Sequence, residues 1–155
     1  MTTPQWDSLE RTWVEDEGAL VDIRVPNATA DEWQRVMEVV RARWPLSLET
    51  DGEAEPVPSD LGGLLDARDG RSRLLRVGVT PVINLNARLP DEEIEFDFDP
   101  NEVLDQTDLD VISEFVLIVG RTLGRAVHVL VESGELGTMD SMRYDETSDR
   151  VIVLG

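Results

Sequence analysis

The chain reads as an α+β protein, with one mostly antiparallel sheet and two main helices packed on one face. Three observations lead there. Short runs alternate apolar and polar residues, as in VINLNARL and EIEFDFD. Two longer stretches carry apolar residues at helical spacing instead. The runs follow one another as β-α-β, three meander strands, then α-β-β-β, with no repeat and no linker, so residues 1–155 form a single domain.

The elements follow in order. Trp6, Leu9 and Trp13 share a helical face and predict a short opening helix. LVDIRVP (20–26) alternates until Pro26 stops it, which predicts a strand. Thr29 and Glu32 have the spacing of a capping box, and Trp33, Val36, Met37, Val40 and Trp44 continue at helical spacing up to Pro45. LSLET (46–50) predicts a short strand, and DGEAEPVPSDLGG (51–63), rich in Gly, Pro and acid, a surface loop. A short helix is expected over Leu61 to Ala67. LLRVGV (74–79), VINLNARL (82–89) and EIEFDFD (93–99) then form the meander.

DLDVISEFVLIVGRTLG (108–124) is the second long helix, with Leu109, Ile112, Phe115, Val116, Val119 and Leu123 on one face. Thr107, Asp108 and Asp110 favour its positive end, and Gly124 suits its stop. Val111, Leu117 and Ile118 make its middle apolar nearly all round, which implies deep burial or contact with a second chain. AVHVLVE (126–132) is a strand, and MRYDETSDRVIVLG closes as a hairpin turning at Asp145 to Asp149.

Composition narrows the function. The 155 residues are 41% hydrophobic, enough to fill a core, yet carry a net charge of −19. That charge argues against nucleic acid or an anionic membrane as a direct partner; it suits a basic protein or cationic ligand, or serves solubility alone. All 14 basic residues are Arg, which fits GC-rich coding or a salt-adapted cytoplasm, so placement of charge matters more than its total. There is no Cys, hence no disulfide framework and no thiol nucleophile. No secretion signal and no run near the roughly 20 apolar residues of a membrane span is visible, so a soluble, cytoplasmic protein is expected, as monomer or homodimer.

The acidic stretch DEEIEFDFDPNEVLDQTDLD (91–110) is the main lead, because 10 of its 20 side chains are carboxylates. In EIEFDFD, Ile94, Phe96 and Phe98 face inward, leaving Glu93, Glu95, Asp97 and Asp99 as an outward ladder. Stacked like charges repel, so the ladder predicts either a surface that meets a basic partner or a protected sheet edge. Glu102 and Asp105 extend the acidic field into the following turn. The expected partner-binding residues are therefore Glu93, Glu95, Asp97, Asp99, Glu102 and Asp105.

Asp97, Asp99, Asn101, Asp105 and Asp108 also fall at the ligand positions of a calcium-loop frame. Glu102 stands where that loop needs Gly, Pro100 stiffens it, and its lead-in is a strand, so no metal or other cofactor is expected. No catalytic residue is expected either. His128, the one histidine, shares a strand face with Ala126 and Leu130, and no Ser sits in a nucleophile context; Ser133 is a turn residue. Phosphate-binding glycine loops and Lys are absent. Arg68, Arg71, Arg73 and Arg76 form one basic island, read as neutralising nearby acids, the ladder among them, in preference to pinning an anionic ligand.

GRAVHVLVES followed by MRYDETSDRVIVLG resembles the closing part of small bacterial immunity-type proteins found beside polymorphic toxins. The likeness covers the last third of the chain: an apolar helix ending in Gly, a V-H-V-L-V-E strand and an R-Y-D hairpin in an acidic α+β domain. It implies a non-enzymatic module that binds and neutralises a basic toxin through an acidic surface. An acidic secretion chaperone or adaptor that binds a client protein is the alternative.

Overall fold

The computed structural model describes residues 3–14, 18–65, 69–89, 93–132 and 134–154. Its elements are α1 (Trp6–Val14), β1 (Val21–Val25), α2 (Ala30–Arg41), β2 (Leu46–Thr50), β3 (Glu53–Glu55), α3 (Gly62–Leu65), β4 (Arg73–Gly78), β5 (Asn84–Leu89), β6 (Ile94–Phe98), a 3₁₀ turn (Pro100–Glu102), α4 (Gln106–Leu123), β7 (Val127–Val131), β8 (Met142–Asp145) and β9 (Arg150–Val153). The fold is α+β, as the alternation predicted.

All nine strands join one antiparallel sheet in the order β3-β2-β4-β5-β6-β1-β7-β8-β9. β1 pairs with β6 on one side and β7 on the other, so the first strand of the chain lies near the middle of the sheet. α4 connects β6 to β7, the two neighbours of β1 in the sheet.

The central strands turn most of their apolar residues to the same side. Val21, Ile23, Val25, Leu75, Val77, Leu85, Ala87, Ile94, Phe96, Phe98, Val127 and Val129 are buried in a core shared with α1, α2 and α4. Three aromatic contacts tie the layers together: Phe96 meets Phe115 edge-on at 5.2 Å between ring centres and Trp33 at 5.6 Å, and Trp13 meets Phe98 at 5.3 Å. The opening helix thus joins the two main helices over one sheet face. α4 buries Leu109, Ile112, Phe115, Val116 and Val119, while Val111, Leu117 and Leu123 pack partly against the same core.

Helix ends follow local chemistry. Thr29 and Glu32 form the reciprocal capping box at α2. That helix ends at Arg41, and the Trp44 N–H still donates to the Val40 carbonyl at 2.9 Å before Pro45. Asp105, and not Thr107, caps α4, so the helix begins at Gln106. Gly124 stops it in the left-handed region at φ 63°, its N–H bonded to the Gly120 carbonyl.

Two expectations are corrected. Residues 53–55, placed in a loop, form edge strand β3; Glu-Ala-Glu has no apolar alternation to announce a strand. The acidic run is not an exposed edge, because β6 is the fifth strand of nine. The short helix near residue 61 spans Gly62–Leu65, and its expected continuation enters residues 66–68, outside the described residues.

Candidate functional site

The sheet face away from the helices carries the charge. On β6, Ile94, Phe96 and Phe98 are buried in the core, so Glu95 and Asp97 turn to the opposite face, where Glu93 meets Arg24; Asp99 lies past the strand and caps the 3₁₀ turn. The ladder is not uncompensated, however. Arg24 of β1 donates from Nε to Glu93 at 2.8 Å, and it stands opposite Glu95 in the β1–β6 register. Arg88 of β5 forms an ion pair with Asp97. Asp97 is only 8% exposed and lies opposite Asp22, itself 7% exposed. Burial, and next the Asp97 charge, push the Asp22 carboxyl up to about 6, against the pull of Arg24.

Beyond β1, the same face holds His128. Its Nδ1 lies 2.6 Å from Asp140, whose side chain is fully buried and also accepts the Gly137 N–H at 2.9 Å. Arg24 and Arg143 flank His128 on the neighbouring strands. Ser141 sits across the sheet, donating to the Val129 carbonyl and accepting from Trp13 Nε1. Both its hydroxyl roles are thus taken within the core. Ser133 lies outside the described residues.

The basic island serves acids other than the ladder. Arg71 pairs with Asp51 at 3.0 Å, Arg73 with Asp69 at 2.7 Å and Arg76 with Glu49 at 2.6 Å. Arg68 lies outside the described residues. The cations that meet the ladder, Arg24 and Arg88, belong to other strands.

The acidic field ends in a corner between the 3₁₀ turn and α4. Asp99 caps the turn by accepting the Asn101 N–H at 2.9 Å. Asp105 accepts the Asp108 N–H at 3.0 Å, while Asp108 accepts the Leu104 N–H at 3.0 Å. This reciprocal clamp fixes the backbone on both sides of Leu104, whose residue surface is 75% exposed. Val103 beside it is buried, so the corner is anchored to the core. Glu102 is half-buried, and burial together with the Asp99 charge raises its carboxyl above the ordinary range.

The would-be calcium ligands are therefore distributed among different tasks: Asp97 on Arg88, Asp99 and Asp105 on caps, Asp108 on Leu104. Among the described residues no group of three or more His, Asp or Glu side chains is placed to hold a metal ion.

Of the six residues expected to bind a partner, Glu93 and Asp97 are tied into ion pairs on the sheet face. Asp99, Glu102 and Asp105 gather at the corner. Sequence reasoning passed over Leu104, although an apolar residue within a run of acids was the available signal.

The chain matches no family model, no curated protein and no solved structure. Among the described residues no helix is long and apolar enough to cross a membrane. Fold and site together define an acidic α+β protein with helices on one sheet face and, among the described residues, a charged face without helices on the other.

Proposed function

We propose that this chain is a non-catalytic protein-binding module of the immunity type, which neutralises a basic toxin by engaging it with its acidic corner. The observation that carries the reading is Leu104, 75% exposed, its backbone held by the Asp105–Asp108 clamp and its chain neighbours Glu102, Asp105 and Asp108 all acidic. An exposed apolar side chain on a fixed backbone, with carboxylates beside it, has the form of an interface anchor: the centre loses water on contact and the surrounding charges select the partner. The surrounding acids select a basic surface and speed its approach.

The test is co-expression with the product of the adjoining gene, followed by calorimetry on the purified pair. Growth rescue and one-to-one binding, weakened at least tenfold by Leu104→Ala, are the expected results. A pair that neither associates nor rescues would sink the immunity reading. A dimer of this chain holding one unfolded client would replace it with the secretion-chaperone alternative.

A further inference from the structure

The two edges of the sheet are unlike. β3 closes one edge with Glu53, Ala54 and Glu55, a short, exposed and charged strand of the kind that resists pairing. β9 closes the other with Arg150, Val151, Ile152 and Val153, and among the described residues no strand pairs with its outer side.

The hydrogen-bond phase of β9 is set by Leu154, whose N–H donates to the Ser141 carbonyl at 2.9 Å. Ile152 and Arg150 face β8 in the same phase, opposite Arg143 and Asp145. In an antiparallel ladder the intervening residues point the other way, so the N–H and C=O groups of Val151 and Val153 point outward. A groove of about 280 Å³ runs beside them, bounded by Thr3, Pro4, Gln5 and Ser8. It adjoins a second groove of about 200 Å³ with walls of Pro4, Leu117 and Val151, and with two acids, Asp110 and Glu114, against one cation, Arg150, in its lining.

We propose that β9 accepts an extended segment of a partner protein as a tenth strand, in which basic residues alternate with apolar ones. The outward N–H and C=O groups supply the ladder. On the helix side, a long basic side chain lays its aliphatic stem along Pro4, Leu117 and Val151 and brings its charge to Asp110. Glu114 already meets Arg43, and Asp110, one oxygen of which accepts the Gln106 side-chain amide at 2.7 Å, is the carboxylate that receives it. On the other face, the alternate apolar side chains pack beside Ile152. A second copy of this chain is the poorer occupant, since edge-to-edge pairing would join two molecules of net charge −19 each. The proposal is independent of the acidic corner.

The probe is a capped ten-residue peptide alternating Arg and Val, compared with the same composition in two blocks and with an N-methylated version. Binding is followed by fluorescence anisotropy at physiological salt, and amide exchange is followed by NMR. The alternating peptide should bind at least tenfold tighter than either comparison and should protect the Val151 and Val153 amides. Val153→Pro removes an outward N–H without touching the β8 ladder, and should weaken binding at least tenfold, whereas Val153→Thr should not. Equal binding of the three peptides, or no binding at all, would overturn the proposal. So would unchanged affinity in Val153→Pro, or self-association that the alternating peptide does not displace. Should Val153→Pro fail to fold, the wild-type exchange data decide: unprotected amides at saturating peptide reject the tenth strand.

Discussion

Asp22 and Asp97 face each other across β1 and β6, two nearly buried carboxylates in direct cross-strand register on the sheet face away from the helices. Like charges so placed repel, and the arrangement is tolerated unequally. Asp97 has Arg88 and the Asn86 amide, whereas Asp22 is pushed up to about 6 by burial and by Asp97.

That inequality gives a pH-dependent stability with a defined sign. The folded state holds the Asp22 proton more tightly than the unfolded chain, whose Asp titrates at 3.8. Between these values the folded state binds more protons, so stability from this site is full below about pH 4 and is lost as pH rises towards 6. Asp22→Asn should be neutral near pH 4 and stabilising at pH 7.5. For a fully dry site the shift would be worth about 3 kcal/mol, and water at the open face reduces the expected gain to about 1–2 kcal/mol. Urea unfolding at the two pH values measures it. A variant less stable than the wild type at pH 7.5 would mean that Asp22 makes a favourable ionised contact.

The strands were legible in the sequence because one sheet face is buried: alternation in VDIRV, NLNARL and EIEFDF is the direct trace of that burial. The capping box at Thr29 and the glycine stop at Gly124 were legible because they are local chemistry. Pairings across the sheet were not. Arg24 and Glu93 are 69 residues apart, and only the placement of β1 beside β6 brings them together. The same register sets Asp22 against Asp97, while Arg24 on Glu93 and Arg88 on Asp97 partly neutralise, across the sheet, an acidic ladder that looks uncompensated along the chain.

Packing between α4 and β8 rests on a missing side chain. Gly120 lies against the Tyr144 ring so closely that a Cβ would overlap it, and that ring is held by its hydroxyl donating to Asp149 at 2.8 Å. The ring cannot retreat without leaving the core or breaking that bond. Gly120→Ala should therefore destabilise by about 2 kcal/mol through overpacking, despite the better helix propensity of Ala. Thermal unfolding of the variant checks this, and a Tm equal to or above the wild type would show that β8 yields freely.

His128 should be dispensable for partner binding. Its Nδ1 is committed to buried Asp140, and the hydroxyl of Ser141 is engaged on the core side. His128→Gln retains an N–H that can reach Asp140, so the expected cost is about 1 kcal/mol of stability with partner neutralisation unchanged. Loss of neutralisation in a fully folded variant would restore a catalytic role for the histidine.

At the acidic corner, charge and apolar contact should separate kinetically. Glu102→Gln with Asp105→Asn removes two charges and keeps the helix cap, because Asn caps as well as Asp. Charges at an interface rim act mainly on encounter, and at physiological salt their reach is about 8 Å. The double variant should associate with the adjoining-gene product several-fold more slowly at low salt, and the difference should vanish near 0.5 M. Leu104 acts only after contact, when its surface leaves water, so Leu104→Ala should leave the association rate alone and raise dissociation about tenfold. Stopped-flow mixing resolves both. An unchanged salt dependence in the double variant would assign attraction to acids elsewhere on the molecule. Unchanged dissociation in Leu104→Ala would remove the corner from the interface.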